Sequence, residues 1–174
     1  MSEPHETMHS KRIPLTRMYE YRRMLPHYQK ANRAIFVTFC KNDSTPFSSE
    51  ARDVILECCL KGNGTKFHLH AAVIMPEHVH LLLTPMQNQD GWSIGLPAIL
   101  KSIKGASARS VNKLTNSAGP VWQEESFDHV LRSQESWEEK LEYIRQNPVR
   151  RDLVGRPEDY PWLWIEQSAQ QMLL

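Results

Sequence analysis

The 174-residue sequence predicts an α+β domain, a ferredoxin-like antiparallel sheet with helices on one face, on three observations. Runs rich in β-branched and aromatic residues alternate with segments of helical apolar periodicity, in the order β-α-β-β-α-β-α. Only Pro76 and Glu77 separate the second and third strands, room for a tight antiparallel hairpin but not for a crossover. The length suits one domain, since domains usually run to roughly 100–200 residues. No internal repeat or low-complexity stretch is visible.

Residues 1–32 carry Pro4, Pro14 and Pro26, many charges and no sustained period, which predicts a basic N-terminal arm. The domain then spans 33–155, with a C-terminal tail over 156–174. Ala34 to Cys40 reads as a central strand ending in the turn Lys41-Asn42-Asp43-Ser44. Ser48 or Ser49 caps a helix whose Ala51, Val54, Ile55, Cys58 and Cys59 keep the i, i+3, i+4, i+7, i+8 pattern, and Gly62 stops it. Strands follow at Phe67–Met75 and His78–Pro85. A longer helix, about Leu96 to Leu114, puts Ile99, Leu100, Ile103 and Val111 on one face and Lys101, Lys104, Arg109 and Lys113 on the remainder. Val121 to Leu131 reads as a broken fourth strand. The last helix opens at Ser136, in a capping box with Glu139, and closes before Pro148.

Composition narrows the function classes. No apolar run approaches the ~18–20 residues of a bilayer span, and the first thirty residues hold no continuous stretch of signal-peptide length. Cys40, Cys58 and Cys59 are odd in number and form no CxxC pair, so buried packing in a reducing, cytoplasmic compartment is expected. The near balance of 21 Lys+Arg against 20 Asp+Glu conceals segregation. Seven basic residues and a single acid, Glu20, lie between His9 and Ala34, and Arg145, Arg150, Arg151 and Arg156 surround Asn147-Pro148-Val149. Such patches fit a polyanion site, and on charge alone they fit a solvated surface equally well.

Two His-hydrophobe-His triplets, His68-Leu69-His70 and His78-Val79-His80, each place two imidazoles on one side of a strand, roughly 6.5–7 Å apart. Either pair can hold a metal ion, and either can arise by chance in a chain with 8 His. Tyr143 and Asn147 stand one helical turn apart, beside the core-facing stripe Trp137, Leu141 and Ile144. Spacing alone leaves Tyr143 open to a packing role.

The strings Met75-Pro76-Glu77-His78-Val79-His80-Leu81-Leu82-Leu83 and Tyr143-Ile144-Arg145-Gln146-Asn147-Pro148-Val149-Arg150 resemble the two signature motifs of the single-tyrosine HUH transposases. The resemblance is closer to the REP-associated tyrosine transposase branch. Phe36-Val37-Thr38-Phe39, Val121-Trp122-Gln123 and Arg156-Pro157-Glu158-Asp159-Tyr160-Pro161-Trp162 extend it in order, so that it covers about Pro26 to Trp164. It implies an HUH-nuclease fold in which His78 and His80 hold a divalent metal, Mg²⁺ or Mn²⁺, Asn147 supplies a third ligand and Tyr143 is the nucleophile. His68 and His70 match no catalytic position, and Glu77 stands where Asn is expected.

The implied activity is nicking and rejoining of single-stranded DNA near hairpin (REP-like) elements through a 5′-phosphotyrosine, by a monomer or a homodimer. A phenol is a weak nucleophile at neutral pH, so the chemistry calls for a metal that neutralises charge on the scissile phosphate. Lys101, Lys104, Arg145, Arg150 and Arg151, with Arg22 and Arg23 of the arm, are the candidate phosphate contacts. Tyr160, Trp162 and Trp164 either stack on unpaired bases or close the core, the second being favoured. A histidine-triad nucleotide hydrolase would need a third histidine where the chain has Leu82. A regulatory protein that binds a DNA hairpin without cutting is the main alternative, and intact His78, His80, Tyr143 and Asn147 argue against it.

Overall fold

The computed structural model describes residues 33–171. In chain order these form β1 (Ile35–Cys40), α1 (Ser49–Lys61), β2 (Phe67–Ile74), β3 (His78–Pro85), α2 (Leu96–Thr115), β4 (Phe127–Val130), α3 (Gln134–Arg150), β5 (Leu163–Ile165) and α4 (Gln167–Gln171). The strands make one antiparallel sheet in the order β4-β1-β3-β2-β5. The Pro76-Glu77 turn closes the expected hairpin, with the Met75 N–H donating to the His78 carbonyl at 2.8 Å. Among the described residues no helix is long and apolar enough to cross a membrane.

The pleat divides the core in two. Ile35, Val37 and Phe39 of β1 and Val79, Leu81 and Leu83 of β3 join Ile55, Cys59, Ile99 and Ile103 of α1 and α2. On the opposite face, Phe36, Ala71, Val73 and Leu82 pack against Leu141 and Ile144 of α3. The antiparallel α+β class therefore holds, while the helices cover both faces rather than one. The reason lies in β2 and β3, where the runs Ala71 to Met75 and Leu81-Leu82-Leu83 are fully buried and a bare second face would leave apolar side chains in water.

Local signals account for most element ends. Ser48 is the cap of α1, accepting from the Ala51 N–H. Gly62 ends that helix in right-handed conformation, and close approach explains it: a Cβ there would lie 2.5 Å from the Phe67 ring. The last helix departs from expectation at both ends. Its cap is Ser133, three residues before Ser136, with Ser133 Oγ accepting from the Ser136 N–H at 3.1 Å. It also runs through Pro148 to Arg150. Proline there removes one helical donor near the terminus, whereas burial of both Asn147 and Pro148 and the Arg151 N–H bond to the Asn147 carbonyl keep the last turn in place.

Residues 156–171 pack onto the sheet. β5 adds to the outer edge of β2, and Tyr160 is buried with its hydroxyl donating to the Ile74 carbonyl at 2.8 Å and accepting from Arg52 at 3.2 Å. The Arg52 guanidinium lies 3.6 Å from the centre of the Trp162 ring, whose Nε1–H donates to Asp53. Tyr160 and Trp162 thus close the core. Tyr160→Phe strands the Ile74 carbonyl in an apolar setting and is expected to lower unfolding free energy by about 1–3 kcal/mol, read from urea denaturation.

Candidate active site

The site stands on the second face of the sheet. His78 and His80 share that face with Leu82, because Val79 and Leu81 turn to the other core. Their ring centroids are 4.6 Å apart, closer than strand rise alone gives. Across β1, Thr38 is the register partner of His80, and Thr38 Oγ1 lies 2.7 Å from His80 Nδ1. The tautomer in which Nδ1–H donates to Thr38 leaves a lone pair on Nε2.

α3 lays its second turn from the end over these imidazoles. The Tyr143 ring sits 5.3 Å from His80 and 5.7 Å from Phe36, edge-on to both, while Phe36 stacks on His80 at 5.4 Å. One turn later, Asn147 is buried. Two buried polar atoms here have no hydrogen-bond partner, His80 Nε2 and Asn147 Oδ1. A buried acceptor without a donor is costly, and two on facing elements beside a paired histidine fit a divalent cation. Burial pushes the His78 imidazole down to about 4, helped by the Arg151 charge, and holds His80 well below its ordinary value, with His78 and Lys140 adding to the effect. Both rings are therefore neutral near pH 7, the form that ligates a metal.

The basic residues separate into groups. Arg150 places its guanidinium 5.5 Å from the Tyr143 ring centre. Arg151 lies 3.4 Å from Glu77, whose carboxylate is also 3.9 Å from His78 Nδ1, so the glutamate at the unexpected position links that histidine to a cation. Arg145 is engaged by Glu142 at 2.8 Å and Glu158 at 3.2 Å. Lys101 is exposed on α2, and α2 packs on the opposite face of the sheet from Tyr143. Lys104, on the same helix, donates to the carbonyls of Gln123 and Glu124 at 2.7 and 3.0 Å. Arg22 and Arg23 lie outside the described residues.

The fold brings three further side chains to the candidate site. Lys140 holds its ammonium 5.1 Å from the Phe36 ring and 5.6 Å from the Tyr143 ring, and its place three residues before Tyr143 on one helix is the sequence signal that points to it. Thr38 and Phe36 belong to the first strand motif, but their partnership with His80 depends on the β1–β3 register.

His68, His70 and Glu166 form a separate group on the same face. The Glu166 carboxylate is 2.9 Å from His68 Nε2 and 3.7 Å from His70 Nδ1.

The chain is similar to known proteins along most of its length. The REP-associated tyrosine transposase of Escherichia coli (strain K12) is 25% identical over 157 residues, covering 90% of this chain and 88% of that protein. A solved REP-associated tyrosine transposase bound to a REP hairpin superposes with a TM-score of 0.65 at 20% identity, covering 84% of this chain and 82% of that one. A bacterial tRNA(His) guanylyltransferase (Thg1)-like protein in complex with GTP shares the fold with a TM-score of 0.52 at 11% identity, covering 71% of this chain and 65% of that one. A fold found in both leaves function to be argued from the site. The family described as "Transposase IS200 like" matches residues 29–147, a span that contains His78, His80 and Tyr143 and ends on Asn147. The chain belongs to the IS200-like transposase family.

Proposed function

We propose that the protein is a metal-dependent, single-strand-specific DNA endonuclease and strand transferase that nicks and rejoins DNA near hairpin (REP-like) elements, with Tyr143 as its nucleophile. The observation that carries this reading is the pair of buried, unpartnered polar atoms, His80 Nε2 on the ring that meets Tyr143 and Asn147 Oδ1 one helical turn beyond Tyr143. The hairpin held by the REP-associated structural neighbour supports the class of DNA.

Tyr143 Oη attacks the scissile phosphorus. The phenol gives up its proton to solvent as the bond from Oη to phosphorus forms, the bond from phosphorus to the 3′ oxygen breaks, and that oxygen takes up a proton from solvent to leave a free 3′-hydroxyl and a 5′-phosphotyrosine. The number of phosphoester bonds is unchanged, so a 3′-hydroxyl can attack the phosphotyrosine and reseal the strand without an external energy source. A divalent cation on His78, His80 and Asn147, Mg²⁺ or Mn²⁺, would supply charge neutralisation at the phosphate oxygens. Thr38 holds the His80 ring in the orientation a ligand needs, and Phe36 packs against both His80 and Tyr143, limiting rotation of both. Lys140 and Arg150 flank the phenol ring and provide positive potential for an incoming phosphate. Glu77 ties Arg151 to the turn that carries His78.

The test is a covalent adduct with labelled hairpin-bearing single-stranded DNA, resolved on a denaturing gel. Wild-type protein with Mn²⁺ or Mg²⁺ is expected to give a shifted band that duplex DNA does not give; Tyr143→Phe gives none, and His80→Ala lowers its yield by about 100-fold or more. Activity with Zn²⁺ alone would overturn the cation assignment. Salt-sensitive hairpin binding with no adduct under any of these conditions would replace the enzyme with the non-cutting hairpin-binding protein.

Substitution of Lys140 or Arg150 by Ala is expected to weaken single-strand binding and to flatten the plot of log affinity against log salt by about 0.7 for each phosphate that the variant no longer neutralises. Titrations at several salt concentrations read this slope directly.

A further inference from the structure

The second histidine triplet has no part in the proposed reaction, yet the fold gathers it as closely as the first. β2 carries a bulge between Leu69 and Ala71, in which His70 is the additional residue. The bulge brings the His68 and His70 rings to 4.7 Å between centroids, on the face shared with His80. Glu166 follows β5 directly and reaches them from the neighbouring strand. Its backbone N–H donates to the His70 carbonyl at 2.9 Å, and this pins the residue that presents the carboxylate.

The three side chains offer one ligand atom each, all within 4.8 Å of one another. A tetrahedral ion with bonds of about 2.1 Å needs separations of about 3.4 Å, within reach of small side-chain rotations. Support behind the ligands is also in place. His70 directs Nδ1 toward Glu166 while its Nε2 lies 2.8 Å from Thr84 Oγ1, the arrangement that fixes a ligating imidazole. Trp137 of α3 stands edge-on to His70 at 5.6 Å. Two imidazole nitrogens and one carboxylate form a donor set for Zn²⁺ and its borderline neighbours rather than for Mg²⁺, and three protein ligands leave a fourth position to water.

We infer that His68, His70 and Glu166 form a second metal site, selective for a borderline divalent cation such as Zn²⁺, which clamps the segment after β5 to β2 beside α3. Thr84 lies four residues along β3 from His80, about 13 Å at strand rise, so the two sites are distinct. Both abut one helix: Trp137 leans on His70 and Tyr143 on His80. A cation here fastens the C-terminal segment under the front half of the helix that carries Tyr143.

The test is a Zn²⁺ titration by calorimetry of the full chain and of its His78→Ala/His80→Ala variant, paired with hydrogen exchange. The double variant is expected to keep one equivalent of Zn²⁺, to show the visible absorption of tetrahedral Co²⁺ when loaded with cobalt, and to melt at higher temperature with Zn²⁺. Glu166→Gln on that background, a near-isosteric change, is expected to weaken binding by at least about tenfold. His68→Ala, at a half-exposed position, is expected to do the same without unfolding the protein. In the otherwise unaltered chain, Zn²⁺ slows amide exchange of Trp164 and Ile165, and Glu166→Gln abolishes that slowing. No Zn²⁺ equivalent in the double variant, or one indifferent to both Glu166→Gln and His68→Ala, overturns the site and leaves a plain His68–Glu166 hydrogen bond. Equal exchange of Trp164 and Ile165 with and without bound Zn²⁺ overturns the clamp.

Discussion

The antiparallel pairing of β1 with β3 is the constraint on which the rest of this structure depends. β3 is buried on both faces, and its two-residue period sends Val79, Leu81 and Leu83 into one core and His78, His80 and Leu82 toward the other. The register that seats Phe36 against Leu82 also sets Thr38 against His80. A slip of one residue would empty the first core and remove the hydrogen bond that orients an imidazole. The packing that stabilises the sheet and the geometry that prepares the site are consequences of one alignment, so stability and site precision cannot vary independently at these positions.

The same alignment sorts the charges. The basic cluster around Asn147 is prominent in the sequence, but its members have different partners. Arg145 is held between Glu142 and Glu158, and Arg151 faces Glu77, whereas Arg150 lies over the Tyr143 ring. Lys140, outside the cluster, comes within 5.6 Å of the same ring centre, although Arg145 is the nearer residue in sequence. Positive potential at the phenol is a matter of which cations the fold turns toward it, and a count along the chain does not reveal that.

Strong short-range signals made much of the fold legible. The Pro76-Glu77 turn, the Ser48 cap and the apolar stripes of α1 and α2 each depend on a few adjacent residues and were readable to within a residue or two. His78, His80, Tyr143 and Asn147 stood out as candidates through motif resemblance, and Tyr143 meets His80 because α3 crosses the second face of the sheet. What escaped needed long-range information. The side of the sheet taken by α3 follows from burial of both faces. Ser133 displaced Ser136 as cap because several serines satisfy the same local rule. Helix continuation through Pro148 reflects packing of Asn147 and Pro148 that outweighs a backbone preference. Glu166 meets His68 across 98 positions of chain, and no periodicity predicts such a contact.

The bulge in β2 shows how a sheet can accept a residue it does not need. Leu69 faces the first core and Ala71 the second, which is the alternation of two consecutive residues, and beyond them the pairing to β3 proceeds as if position 70 were not there. A chain shortened by His70 alone would keep the neighbouring side chains on their present faces and their partners on β3, and would lose the carbonyl that accepts from the Glu166 N–H. His70 is therefore an extra residue for the pairing with β3 and a working one for the chain after β5. Position 70 thus contributes an edge carbonyl that holds the Glu166 N–H and an imidazole between Thr84 and Glu166, and neither is part of the β2–β3 register.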